Sequence, residues 1–313
     1  MRRALCCCVL PLWFAACTRP LPRQEEAPAP RPEAISLLGE RLFAKEDTLG
    51  EIAAADSALA LAPNDIELLI AAARARRNSW QYRDEIALYA KVIGMAPDDW
   101  RPYRFRGHRY ISVREFENAI ADLERARELA RFNWDVSYHL GLAYFVSGRF
   151  EDAAAEWLRC IGLGNDAGAR AADSGTFRSC ARNASDPGSQ VAMTEWAARA
   201  LIRSGKPAQA EKLAQAIPDG LEVGENLSYY TDLLFARGAR TAAEILAQVA
   251  DSTFRLETVG YGIATRHLAR GDTAAAMELF KQIAADPWWP GFGRIAAEAE
   301  LARAATRAAA KNP

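Results

Sequence analysis

The sequence predicts an all-α protein built as a solenoid of about seven helix pairs with a C-terminal capping helix. The first observation is an interval of 34 residues, which relates Gly107 to Gly141 and Tyr110 to Tyr144. A fixed interval of roughly 20 to 50 residues indicates stacked repeats of one supersecondary unit. The second observation is composition, because alanine is frequent and only 9% of residues are aromatic. Glycine and proline stand at breaks between apolar stretches, as in helical proteins.

Charge and motif content argue against several function classes. The formal net charge of −1 gives no global attraction to nucleic acid. The three histidines have no metal-type spacing, and the sequence contains no phosphate loop, zinc-protease motif, nucleophile elbow or Cys-x-x-Cys pair. We therefore expect no catalytic residues, no cofactor, no metal site and no nucleic-acid partner.

Residues 1–16 read as a signal peptide. Arg2 and Arg3 precede a short apolar run, and the small pair Ala15-Ala16 comes directly before Cys17. The apolar run is shorter than the roughly 20 residues that span a bilayer. The segment resembles the lipobox of bacterial lipoproteins, which implies that Cys17 is lipidated and becomes the first mature residue. The alternative is ordinary cleavage after Ala16, although that would favour a small residue at position 14, where phenylalanine stands.

Residues 17–32 then form a tether between the lipidated cysteine and the solenoid. Its five prolines after Cys17 favour an extended, semi-rigid spacer that cannot join a packed core. Thr18, rather than an aspartate, follows the cysteine. By resemblance to enteric lipoproteins, this implies an outer-membrane location facing the periplasm.

Residues 33–167 contain four repeats, in a frame of 32–65, 66–99, 100–133 and 134–167. In the fourth, Leu140 stands at position 7, Gly141 at 8, Tyr144 at 11, Ala153 at 20 and Trp157 at 24. This pattern resembles the tetratricopeptide repeat (TPR). The resemblance implies a right-handed solenoid of antiparallel helix pairs that binds a protein or peptide partner on its concave face.

Gly141 is costly inside a helix, by about 1 kcal/mol relative to alanine. We expect position 8 of the first helix to pack against position 20 of the second, here Ala153. A larger side chain at position 8 would separate the two axes and leave voids. Gly148 is expected to form the turn between the helices.

The frame ends near residue 167. Residues 168–190 are rich in Gly, Ser, Asp and Asn and predict an irregular insert. Residues 191–287 predict three further TPR-like repeats, with turn glycines at 205, 238 and 271. Residues 288–313 predict a capping helix with a polar face. Trp288 and Trp289 are interpreted either as a plug between the last repeat and this cap or as a docking site.

The resemblance places particular first-helix side chains on the concave groove. They are Arg74, Arg77, Arg101, Arg104, His108, Tyr138 and Phe145. Arginine binds carboxylates bidentately and aromatic residues anchor interfaces, so this set suits an acidic peptide. The alternative is a solvated basic face that nearby acidic residues balance.

Cys160 and Cys180 are the cysteines that follow Cys17. An exported chain meets an oxidising compartment, where a bridge between them would contribute about 3 kcal/mol. The alternative is that Cys160 is a small apolar filler in the core.

The function predicted from the sequence is a membrane-anchored, non-catalytic scaffold lipoprotein of the bacterial envelope that binds a protein or peptide partner. The competing hypothesis is a lipoprotein with a helical solenoid that acts on, or binds, cell-wall glycan. The sequence indicates neither the identity of the partner nor the oligomeric state.

Overall fold

Stacked helix pairs make up the part of the chain that the computed structural model describes, residues 31–248 and 256–311. The predicted signal peptide, Cys17 and all but the last two residues of the predicted tether lie outside the described residues. From Pro32 onward the chain forms one compact unit.

Six helix pairs follow one another within residues 31–248 and 256–311, which confirms the all-α solenoid predicted from the sequence. The pairs are α2 (Ile66–Ala75) with α3 (Tyr82–Met95), α4 (Trp100–Ser112) with α5 (Phe116–Leu129), α6 (Trp134–Ser147) with α7 (Phe150–Gly162), α10 (Pro187–Arg203) with α11 (Pro207–Gln215), α12 (Leu227–Ala236) with α13 (Ala242–Gln248), and α14 (Leu256–Ala269) with α15 (Thr273–Ala284). Each pair contacts the next pair along the chain. In the fifth pair, α13 packs more closely on α14 than on its own partner α12.

The first predicted repeat lacks its first helix. Residues 33–50 instead contain a two-stranded antiparallel hairpin, β1 (Ala34–Ile35) and β2 (Arg41–Leu42), followed by the unpaired helix α1 (Glu51–Leu61). Ala34 and Leu42 face each other in the hairpin and are buried against Trp80 and Trp289. The four-repeat prediction is therefore wrong for residues 33–50, because contacts with distant aromatic residues override the local helical pattern.

The predicted insert holds two short helices, α8 (Ala167–Ala172) and α9 (Arg182–Ser185), and α10 begins at Pro187 rather than near residue 191. Asp186 caps α10 by accepting a hydrogen bond from the Ser189 amide at 3.0 Å. Cys160 and Cys180 are joined by a disulfide. This bridge ties the insert to α7, and the Cys180 amide donates to the Phe132 carbonyl at 2.7 Å.

Helix nesting depends on the glycine at position 8, which leaves space for a large side chain of the second helix. A Cβ on Gly141 would lie 2.2 Å from Trp157 Cε2, and one on Gly107 would lie 2.6 Å from Leu123 Cγ. Both Trp157 and Leu123 are completely buried. Position 8 thus packs against position 24, because the large side chain of the second helix fills the space that glycine leaves.

The capping helix α16 (Phe292–Lys311) packs on α14 and α15, and also reaches back to α6. Arg303 Nη1 donates to the Val146 carbonyl at 3.0 Å. The prediction that this helix exposes its charged residues on an outer face is wrong for Arg294, Glu298 and Glu300, because each of them is at most 2% exposed. Burial requires that these charges be paired.

Arg114, Glu298, Arg294 and Glu40 form one ionic network, which we call the latch. Arg114 Nη2 lies 2.7 Å from Glu298 Oε1, and Arg294 Nε lies 3.1 Å from the same oxygen. Arg294 also pairs with Glu40 beside the hairpin. The latch therefore joins the N-terminal hairpin, the turn after α4 and the C-terminal helix.

Trp289 reinforces the latch as a hydrophobic plug. Its ring lies 5.4 Å from Trp80 and 5.3 Å from Tyr82, and its indole N–H donates to the Phe43 carbonyl at 3.0 Å. The plug interpretation thus holds for Trp289, but the plug lies against the hairpin and the α2–α3 turn rather than between the last repeat and the cap.

We expect Gly141→Ala to lower the free energy of unfolding by about 1–3 kcal/mol, because the new methyl group overpacks the core against Trp157. Gly94→Ala is the matched control, since a Cβ on this exposed glycine of α3 meets no atom within 4 Å. The control should be neutral or stabilising by up to about 1 kcal/mol. Urea unfolding of both variants measures the difference, and equal stabilities would contradict the nesting model.

Candidate functional site

Two arginines of the predicted groove have no ion-pair or hydrogen-bond partner within the part of the chain that the structure describes. Arg74 lies in the last turn of α2 and Arg77 lies just beyond its end, and both are exposed. Among the described residues, neither guanidinium has an ion-pair or hydrogen-bond partner; Arg74 lies only over the Phe105 ring, at 5.9 Å. Arg76, between them, is held by Asp56 at 2.9 Å. Arg74 and Arg77 therefore remain available for a ligand.

The other two groove arginines are used within the fold. Arg101 Nη2 lies 2.7 Å from both Asp99 Oδ2 and Glu67 Oε1, and these hydrogen bonds raise the pKa of Arg101. Arg104 Nη2 lies 3.6 Å from Asp135 Oδ1, and its side chain is only 14% exposed. The groove of four free arginines expected from the sequence thus reduces to two.

His108 and His139 lie next to each other on the buried side of these arginines, and their ring centroids are 4.4 Å apart. His139 Nδ1 donates to the Asp135 carbonyl at 2.7 Å, which leaves Nε2 as an acceptor towards Arg104 at 3.5 Å. Burial lowers the pKa of His139 well below its usual value, and the charge of Arg104 lowers it further. His139 is therefore neutral at physiological pH.

Tyr138 and Phe145 do not lie on an open groove, which corrects the sequence-based placement. Phe145 is completely buried and packs 5.3 Å from Trp196 and 6.0 Å from Tyr261. Tyr138 is 7% exposed and its hydroxyl lies 3.0 Å from that of Tyr229. The later helices α10, α12 and α14 supply these neighbours and cover the inner face of α6.

An aromatic cleft of about 370 Å³ lies beside Arg77. We define it by Trp80, Tyr82, Tyr229, Trp288 and Phe292. Trp80 and Tyr82 are buried walls, whereas Trp288 is 37% exposed and Tyr229 and Phe292 are half-buried. Sequence reasoning missed four of these five residues, because they come from three distant segments; only the Trp288-Trp289 pair gave a signal.

Polar side chains alternate with the aromatic rings of the cleft. Arg109 is 4% exposed, lies 4.6 Å over the Tyr82 ring and is 3.7 Å from Glu85. Ser112 and Glu257 are also buried in its lining, and Glu257 Oε2 accepts the Gly293 amide at 3.0 Å. The cleft thus offers donors and acceptors between apolar faces.

A smaller inner cavity of about 100 Å³ shares Arg77, His108 and Arg109 with the aromatic cleft. Arg74, Arg104 and Glu85 also line it. Burial raises the pKa of the Glu85 carboxyl, and Arg109 opposes that rise. Four guanidinium groups face one carboxyl here, so the inner end of the site attracts anions.

Neither a metal site nor a membrane-spanning helix is found in the described ranges. No group of three or more His, Cys, Asp or Glu side chains there is arranged to hold a metal ion. No helix in the same ranges has the length and apolar character needed to cross a membrane.

No protein-family model matches the chain, and no curated protein matches it. The solved structures that are similar to it include yeast Tom70 and the TPR domain of P58(IPK). Yeast Tom70 has 14% sequence identity and a TM-score of 0.35, with 82% of this chain and 58% of that chain covered. The TPR domain of P58(IPK) has 18% identity and a TM-score of 0.31, with 81% and 68% covered. The chain thus spans 58% of the length of the Tom70 chain.

The buried neutral state of His139 predicts acid sensitivity. Its pKa is lowered in the folded state, so below about pH 6.5 the unfolded chain binds a proton that the folded chain does not. The contribution of His139 to the free energy of unfolding is therefore fully present above that pH. It decreases as the pH drops, by up to about 1.4 kcal/mol per pH unit. Urea unfolding between pH 7.5 and 5.5 should give a shallower slope for His139→Gln than for wild type. Identical slopes would contradict the assignment.

Proposed function

We propose that this protein is a non-catalytic scaffold that binds an acidic segment of a partner protein. The observation that carries the proposal is the pair of exposed guanidinium groups of Arg74 and Arg77, which have no ion-pair partner in residues 31–248 and 256–311. The neighbouring Arg76, Arg101 and Arg104 all have internal carboxylate partners. A guanidinium without such a partner can form a bidentate pair with an incoming carboxylate.

The helix stack supplies the rigid frame for such a surface. Repeats contact mainly their neighbours, so a solenoid presents an extended face with fixed spacing between side chains. Acidic residues of the partner would lie on α2, and the chain would run along the face that α2 and α4 share.

We further propose that the scaffold is a lipoprotein of the bacterial envelope, anchored through Cys17 to the outer membrane and facing the periplasm. The support is the sequence of residues 1–32: the basic start, the short apolar run, the small pair before Cys17 and the proline-rich tether. The Cys160–Cys180 disulfide supports an oxidising compartment.

Photocrosslinking tests the partner surface. A photoreactive residue at position 74 or 77 should yield the same crosslinked protein in cells, and none should form from position 170. Arg74→Glu/Arg77→Glu should reduce capture of that protein at least about tenfold, because each carboxylate contact becomes a repulsion. The exposed pair Arg131→Glu/Arg170→Glu is the charge-matched control. Equal loss in both variants, or turnover of purified peptidoglycan by the protein, would contradict the proposal.

Substitution of the proposed lipidated residue tests the anchor. Cys17→Ala should abolish palmitate labelling and move the protein from the membrane to the soluble fraction. Cys160→Ala/Cys180→Ala keeps Cys17 and should remain labelled. Membrane fractionation that is unchanged in Cys17→Ala would reject lipid anchoring.

A further inference from the structure

We propose that the aromatic cleft binds a small acidic saccharide, of one or two rings, that carries a carboxylate. This ligand would be additional to the protein partner, because the cleft shares only Arg77 with the exposed cationic surface of Arg74 and Arg77. The volume of the cleft, about 370 Å³, lies at the lower end of the roughly 300–1,000 Å³ of small-molecule sites.

The aromatic rings fit the apolar faces of a sugar. An aromatic face carries negative charge and its edge carries positive charge, so it attracts the polarised C–H groups on one side of a pyranose ring. Trp288, Tyr229 and Phe292 are all partly exposed in the cleft and can offer such faces. Trp80 and Tyr82 form the closed back wall.

Ring contacts hold Trp80 in the back wall although its backbone conformation is unfavourable. Trp80 has φ of 57°, which is rare for a bulky residue and costs free energy. Its ring compensates by packing 5.5 Å from Trp288 and 5.4 Å from Trp289. Lys45 Nζ lies 3.5 Å above the Trp80 ring on one side. The cleft is thus assembled before a ligand arrives.

The polar lining favours a saccharide over an apolar peptide side chain. Arg109, Ser112 and Glu257 line the cleft and are all at least nine-tenths buried. Sugar hydroxyls both donate and accept hydrogen bonds, so they can replace the water at guanidinium, hydroxyl and carboxylate groups alike. A phenyl or isobutyl side chain would displace that water without forming hydrogen bonds to these polar groups.

The charge of the lining selects a carboxylate on the sugar. Arg77 is exposed, forms no ion pair with another described residue and lines both the cleft and the inner cavity. Arg74 and Arg104 add positive charge at the inner end. A carboxylate that points from the cleft towards the inner cavity would therefore pair with Arg77.

Isothermal titration of the full chain in detergent tests the proposal with two pairs of sugars. D-glucuronic acid is compared with D-glucose, and N-acetylmuramic acid with N-acetylglucosamine. At least one acid should bind about fivefold or more tightly than its neutral counterpart, since only the acid pairs with Arg77. A preference for glucuronic acid over glucose would identify a carboxylate on the sugar ring as the recognised group. A preference for N-acetylmuramic acid over N-acetylglucosamine would identify a lactyl carboxylate.

Matched variants locate the binding. Arg77→Gln should reduce the affinity for the acid to that for the neutral sugar, whereas Arg170→Gln, at an exposed arginine of α8 that lines neither the cleft nor the inner cavity, should keep the preference. Trp288→Ala should weaken binding of all sugars about tenfold by removing a stacking face, and Trp288→Phe should restore most of it. Thermal unfolding checks that each variant is folded.

Three results would overturn the proposal. They are equal affinity for acid and neutral sugars, unchanged affinity in the folded Trp288→Ala variant, and no binding of any of the four sugars. Tighter binding of glutamyl-phenylalanine than of either acid sugar would instead identify the cleft as a peptide anchor. Because Trp288→Ala leaves Arg74 and Arg77 intact, the crosslink from position 74 should persist in it, which separates loss of the saccharide from loss of the protein partner.

Discussion

The ion pair between Arg114 and Glu298 is the interaction on which the site depends. Both side chains are almost fully buried, and Arg114 also donates to the Trp289 carbonyl at 3.0 Å. Removal of one partner would leave a buried charge unpaired, at a cost of about 3–5 kcal/mol. We infer that the ion pair contributes more to the relative positions of the segments it joins than to the free energy of unfolding, because an apolar pair of similar volume is often as stable. It holds the segment with Trp288 and Phe292 against the turn between α2 and α3 and against α4, and without it the aromatic cleft would lose one wall.

A second buried ionic network orders the C-terminal repeats. Arg199 lies 2.9 Å from Glu195 and 2.7 Å from Asp232, and Arg266 lies 2.7 Å from Glu195. Burial alone would raise the pKa of Glu195, but Arg266 and Arg199 lower it, while burial and the charge of Glu195 raise the pKa of Asp232. Gly262 permits this arrangement, since a Cβ there would lie 2.2 Å from Asp232 Oδ2. Many arginines of this chain thus act as internal links, whereas Arg74 and Arg77 form no ion pair with any residue of the described ranges.

The tertiary structure changes the expected groove into a two-sided site. The turn between α2 and α3 forms one side together with α4, and residues 288–292 form the other. Such a site is narrower and more aromatic than an open concave face. It separates an exposed cationic surface, suited to a protein segment, from an enclosed cleft suited to a small ligand. Both proposals follow from that separation.

The sequence by itself determined the helical repeat, the glycines at which paired helices nest and the capping helix, because these are periodic or local features. It also raised the Cys160–Cys180 bridge as one of two alternatives. Only the tertiary structure decided that residues 33–50 form a hairpin, that Tyr138 and Phe145 are buried and that Trp80, Tyr82 and Trp288 share one cleft. The physical reason is distance along the chain. Arg114 and Glu298 are 184 residues apart, and no pattern within one repeat records which distant charge or ring a side chain will meet.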